Sequence, residues 1–146
     1  KGSLVSHGDL CFSNILSSKD FRNLIFIDPM GGSLEESTKS IYYDFAKLSH
    51  SILGNYDFII HGLADFKFNN EMELFVSYKK EENIYLQENF MKLLDRFNLD
   101  IGITRLIEAS LFLSMLPLHT ESLNRTAMLA YRGYEILNKI NEDNLI

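Results

Sequence analysis

The sequence predicts an α+β chain that is mostly helical. Apolar side chains recur at three- and four-residue spacing through long stretches between residues 38 and 140, whereas alternation of apolar and polar residues is confined to residues 64–78. Residues 1 to about 35 read as loop and short strand. A chain of 146 residues, 46% of them hydrophobic and only two of them proline, has enough apolar material for one core. At this length roughly 70% of the unfolded surface can be hidden, so neither a disulfide nor a structural metal is needed. Disorder, collagen and coiled coil are excluded.

Each element has its own reason. Leu4 and Val5 lead into His7-Gly8-Asp9, and the short apolar run Asn23-Leu24-Ile25-Phe26-Ile27 stops at Asp28-Pro29, because proline cannot donate to a ladder and constrains the residue before it. Gly31-Gly32 marks a turn. Over residues 38–53, Ile41, Phe45, Leu48 and Ile52 form one stripe of an amphipathic helix, with Gly54 as its stop signal. Ala64, Phe66 and Phe68, then Met72, Leu74, Val76 and Tyr78, alternate on either side of Asn69-Asn70-Glu71, which is a β-hairpin pattern. Leu86, Phe90, Leu93, Leu94 and Phe97 make a second helical stripe that closes near Asn98. Residues 103–116 are apolar almost all round and too short to span a bilayer, so a buried central helix is expected. Residues 122–140 make a last helix with Ser122 as N-cap.

Charge and cysteine content narrow the function. Fourteen basic against 20 acidic side chains leave a formal charge of −6 with no basic block, which argues against a nucleic-acid partner. Cys11 is the one cysteine and has no internal partner, which fits a reducing compartment. No apolar run reaches about 18 residues and no signal pattern opens the chain, so a cytoplasmic location without a membrane span is expected.

The chemistry is concentrated in His7-Gly8-Asp9-Leu10-Cys11-Phe12-Ser13-Asn14-Ile15-Leu16, with Asp28 fourteen residues beyond Asn14. This is a carboxylate in a loop, an amide oxygen five positions on, and a second carboxylate on the next strand. Magnesium takes hard oxygen ligands and keeps several waters, so a protein offers it one or two side chains and substrate phosphates complete the octahedron. Asn14 and Asp28 meet that demand. Asp9 is then free to accept or orient the proton of an attacking hydroxyl.

The spacing His-x-Asp-x-x-x-x-Asn is that of the protein-kinase catalytic loop. The wording His-Gly-Asp-Leu, Asn-Ile-Leu and Ile-Asp-Pro, followed by Tyr43-Asp44-Phe45-Ala46, resembles the aminoglycoside phosphotransferase and choline kinase family. The resemblance covers residues 6 to about 50. It implies the C-terminal lobe of a protein-kinase-like fold, with the hairpin of residues 64–78 as an insertion and the N-terminal ATP-clamp lobe lying outside residues 1–146. It further implies ATP as co-substrate and Mg2+ as cofactor. Asp9 would be the catalytic base, Asn14 and Asp28 the metal ligands, and His7 and Asp44 supports of the loop. The acceptor would be a small-molecule hydroxyl on an aminoglycoside, choline, ethanolamine or a sugar, and this lobe alone should bind nucleotide weakly at most.

Plainer readings stand beside these. Asp9 and Asn14 could be turn residues, and Cys11 reads as a small buried hydrophobe. His50, His61 and His119 read as core or boundary histidines, and Gly31-Gly32 as a plain turn. The run Lys79-Lys80-Glu81-Glu82 reads as a solvated loop. Asp57, Glu71, Glu73 and Glu108 either meet a cationic substrate or serve solubility. Two other functions compete: a non-catalytic kinase-like binding module, and a metal-dependent phosphoesterase, which needs several histidines converging with the carboxylates.

Overall fold

A computed structural model describes residues 6–30, 40–71, 74–79 and 83–146. In chain order it places β1 (Ile15–Ser17), β2 (Leu24–Phe26), α1 (Ile41–Ile52), α2 (Tyr56–Ile60), β3 (Ala64–Phe68), β4 (Leu74–Tyr78), α3 (Ile84–Arg96), α4 (Ile101–Ser114) and α5 (Leu123–Glu142), with 3-10 turns at Phe12–Asn14 and Leu116–His119. The chain is therefore α+β and mostly helical. Leu4, Val5, Gly31, Gly32, Thr38, Met72, Glu73 and the run from Lys80 to Glu82 lie outside the described residues.

Helix α4 packs between α1 and α5, and one core joins it to α5, α2 and β3 through Ile59, Ala64, Ala109, Phe112, Met128, Leu129 and Ile136. A second cluster, Phe45, Ile52, Phe90 and Leu94, ties α1 to α3. The helix starts follow their side chains: Ser40 accepts from Tyr42 N, Asn83 from Leu86 N, Asp100 from Ile103 N and Ser122 from Arg125 N. The expected cap at Ser122 is thus present. The end of α1 differs from expectation. Its C-cap is Leu53, and the left-handed residue is Asn55 (φ 60°), not Gly54. Gly54 is needed for space instead: a Cβ there would meet Glu108 Oε1 and His50 O at 2.6 Å and Phe112 at 2.8 Å.

The hairpin of residues 64–78 forms as an antiparallel pair with Ala64 opposite Tyr78, Phe66 opposite Val76 and Phe68 opposite Leu74. Phe66, Val76 and Tyr78 lean on the main core, and Tyr131 of α5 donates its hydroxyl to Leu74 O at 3.0 Å. Helix α4 corrects a second expectation. It is central, but Ile103, Leu106 and Leu113 are exposed, so its apolar circumference is only partly covered among the described residues. The strand ending near Asp28 is also shorter than the apolar run suggests. It stops at Phe26, and Asp28 turns the chain with φ 51° rather than staying extended before Pro29.

Polar groups inside the helical body are few and interlocked. Glu108 is fully buried and takes hydrogen bonds from Ser49 and from Arg105, the latter at 2.6 Å. Burial holds its carboxyl above the usual range against the pull of Arg105 and Ser49. Arg132 donates to Gly54 O at 3.1 Å and Leu53 O at 2.6 Å, which satisfies the terminal carbonyls of α1 with a cation at the negative end of the helix. His50 is 1% exposed, stacked on Tyr56 at 4.3 Å and edge-on to Phe112 at 4.0 Å. Neither of its ring nitrogens has a hydrogen-bond partner among the described residues.

Burial, with a smaller push from the Lys47 charge, lowers the His50 imidazole to about 3. An unfolded chain takes up that proton near pH 6.5 whereas the folded chain refuses it, so stability falls as pH drops from about 6.5 toward 3, by on the order of 1.4 kcal/mol per unit. His50→Phe should make the urea-unfolding free energy fall less steeply between pH 6.5 and 4.5 than in wild type. Equal slopes in the two proteins would show that His50 protonates in the folded state. The opposite slope contributed by Glu108 is common to both proteins and cancels.

Candidate functional site

The site is a loop laid across one face of a helix. Residues 44, 47 and 51 of α1 fall on one stripe, and each grips the loop of residues 7–14. Asp44 accepts from His7 N at 2.8 Å through Oδ2 and from Gly8 N at 2.7 Å through Oδ1. Lys47 Nζ lies 2.9 Å from Asp9 Oδ1. Ser51 Oγ accepts from Phe12 N at 3.1 Å. Gly8 has φ 76°, and a Cβ on it would stand 2.8 Å from Met30 Cβ, so only glycine fits at that crossing.

His7 locks the loop to the chain beyond β2. Its Nε2 donates to Ile27 O at 3.0 Å, and its Nδ1 accepts from Asp9 N at 3.3 Å, two bonds that one neutral tautomer satisfies together. Met30 N donates to His7 O at 2.8 Å and Ile27 N to Asn14 O at 3.0 Å. Asp28 is thereby carried against both ends of the loop. Its carboxylate is exposed, and its left-handed backbone is the kind of local strain that functional turns retain.

Asn14 is buried, and its Nδ2 donates to Asp9 Oδ2 at 3.0 Å and Asp9 O at 2.9 Å. The nitrogen is committed to Asp9, so the amide oxygen is the atom Asn14 has left for a cation. Both oxygens of Asp9 are held, one by Asn14 and one by Lys47. The structure thus brings Asp9, Asn14, His7 and Asp44 into one bonded unit and fixes the backbone that carries Asp28 beside it. Lys47 and Ser51 were missed in the sequence, although their spacing from Asp44 on the same helix face was there to be read.

Cys11 is buried within the loop, with Sγ 3.1 Å from Ser13 Oγ. Glu108 is buried under Ser49 and Arg105 and cannot meet a solvent-borne cation, which removes it from the acids offered for one. Asp57 stays in that group. It lines a cleft of about 540 Å³ whose wall includes Phe12 and Ser13 of the loop, with His61, Asn83 and Gln87. A larger cavity, about 820 Å³, lies among α3, α4 and α5. Neither cavity is lined by Asp9, Asn14 or Asp28, and of the two the smaller is the one walled by residues of the loop, Phe12 and Ser13. Among the described residues no three His, Cys, Asp or Glu side chains converge into a metal cage, and His119 lies 3.5 Å from Glu121, away from the loop.

No family model, no curated protein and no solved structure matches the chain. Among the described residues no helix is long and apolar enough to cross a membrane.

The Asp44 bridge is the anchor most easily tested. Asp44→Ala should destabilise the chain by about 1.5–3 kcal/mol, the worth of hydrogen bonds to a charged acceptor. Hydrogen exchange should show the His7 and Gly8 amides losing more protection than Leu129 in the α5 core, whose loss tracks the global change alone. Unchanged exchange at His7 and Gly8 would mean that the loop is held by something else.

Proposed function

We propose that the chain carries the catalytic loop of an ATP- and Mg2+-dependent phosphotransferase that moves the γ-phosphoryl group to a hydroxyl of a small molecule, and that it corresponds to the C-terminal lobe of a protein-kinase-like enzyme. The observation that carries this reading is the commitment of Asn14: its nitrogen is tied to Asp9, which leaves its amide oxygen for a cation, and the backbone on either side of Asp28 is hydrogen-bonded to the same loop at Asn14 and His7. A pair of oxygens with no cage of three His, Cys, Asp or Glu among the described residues suits a magnesium ion whose remaining positions go to phosphates and water. When bound, magnesium would neutralise charge on the transferring phosphates.

The residues of the chain do the positioning. Asp9 accepts a hydrogen bond from the acceptor hydroxyl and aligns its oxygen with the γ-phosphorus. The new oxygen–phosphorus bond forms as the bridging bond to ADP breaks, and the hydroxyl proton passes to Asp9. Asp44 and His7 hold the loop still while this happens. The cleft beside Phe12 and Ser13 is where an acceptor would lie, and Asp57 in its wall suits an acceptor bearing an amine, such as an aminoglycoside or an amino-alcohol. Leu16 and Ile25 on one face of the β1–β2 pair, and Leu24 and Phe26 on the other, are exposed, and in this reading an ATP-clamp lobe would pack against them.

The test is a panel of aminoglycosides, choline, ethanolamine and sugars incubated with the full-length protein and Mg·ATP, with ADP release as readout. Release dependent on one acceptor class supports the reading. Asp9→Asn should then lower kcat by roughly 10²–10⁴, as for loss of a general base, while Mg·ATP still binds. Near-normal kcat in that variant would remove Asp9 from its role. Asp57→Ala should raise the KM for an amine-bearing acceptor about tenfold or more and leave the KM for Mg·ATP alone.

A further inference from the structure

Lys47 has no role in the steps above, yet its ammonium touches the carboxylate at their centre. Its ammonium stands 2.9 Å from Asp9 Oδ1, and only 17% of its side chain reaches solvent, against 34% for Asp9. A lysine withdrawn that far from water is costly unless a carboxylate answers it, and among the described residues Asp9 is the carboxylate in ion-pair range. The other groups facing the pair do not compete for the ammonium. Asn14 takes the second oxygen of Asp9 as a donor, and His50, one turn further along α1, stays neutral.

The backbone makes this contact exact in register. Lys47 is three residues after Asp44, so the same turn of α1 that binds the His7 and Gly8 amides delivers a cation to the next side chain of the loop. Neither Leu10 nor Cys11 supplies positive charge within the loop itself. Asp9 would otherwise face an incoming polyphosphate with no side-chain cation paired to it among the described residues.

We propose that Lys47 is a positioning residue for phosphoryl transfer: paired with Asp9, it fixes the carboxylate in the orientation that receives the acceptor hydroxyl and cancels its charge toward the phosphates. This rests on the phosphotransferase reading. Lys47 acts through Asp9, and its removal therefore changes turnover rather than nucleotide affinity.

The experiment compares K47M, K47Q, K47R, D9N and the double variant D9N/K47M in the full-length protein, with Mg·ATP and the acceptor that gives the fastest ADP release. K47M and K47Q should lose about 10²-fold in kcat, of the size seen when a fixed electrostatic partner is removed, with both KM values and the calorimetric Kd for Mg·ATP within about threefold of wild type. K47R, which restores the charge, should recover at least about tenfold of that loss. D9N/K47M should be no slower than D9N alone, because residues that act as one unit are not additive. A raised Kd for Mg·ATP with unchanged kcat would overturn the proposal and make Lys47 a phosphate ligand. So would K47M with kcat within about threefold of wild type, or a double variant slowed by the product of the two single effects. K47Q and K47R keep the long stem and carry the comparison if K47M fails to fold. A wild-type protein silent with every acceptor would instead defeat the phosphotransferase reading itself, a result distinct from an active wild type with an indifferent Lys47.

Discussion

One face of α1 governs the site. Asp44, Lys47 and Ser51 reach out at helical spacing and take hold of the backbone at His7 and Gly8, the side chain of Asp9 and the backbone at Phe12. A loop held at four points by one rigid rod has few alternative shapes, and it needs glycine at position 8, where an added Cβ would stand 2.8 Å from Met30 Cβ. Everything the site offers chemically follows from that grip. Asp9 is presented with both oxygens engaged, Asn14 is held by its bonds to Asp9, and Asp28 is carried in by the segment after β2, whose Ile27 and Met30 hydrogen-bond to Asn14 and His7.

The rod is in turn fixed from behind. Arg132 of α5 closes the C-terminal carbonyls of α1, Ser49 of α1 bonds to Glu108 of α4, and Gly54 lets those helices approach where any Cβ would collide. A buried carboxylate with a partly buried arginine is weak evidence of stability, since desolvation offsets much of the attraction. Its value here is register. Ser49 and Glu108 must meet at one rotation of α1 about its axis, and that rotation is the one that points residues 44, 47 and 51 at the loop.

Much of this was legible in the residues, for reasons that differ by element. Helices α1, α3 and α5 declare themselves by apolar period and by a capping side chain, and the hairpin by its alternation about Asn69-Asn70-Glu71. Asp9, Asn14, His7 and Asp44 were readable as a unit because their order and spacing resemble the catalytic loop and following helix of the aminoglycoside phosphotransferase and choline kinase family. What escaped depends on tertiary contact. Helix α2 is five residues long, too short to show a period. Gly54 looks like a left-handed stop, yet its reason is a neighbouring helix, and the turn itself falls to Asn55. Glu108 looks like a surface acid until α1 and α4 are packed. Lys47 looks like a solvated helix lysine until the loop is folded against it.

The central claim of the proposed function is that Asn14 and Asp28 would supply two ligands of a magnesium site completed by nucleotide phosphates and water. Electron paramagnetic resonance of Mn2+ titrated into the full-length protein, with and without ATP and with Asp28→Ala as control, tests it directly. The account predicts weak binding of the metal alone, a marked gain in the presence of ATP, and loss of that gain in the variant. Tight binding of Mn2+ without nucleotide, unchanged by Asp28→Ala, would contradict it.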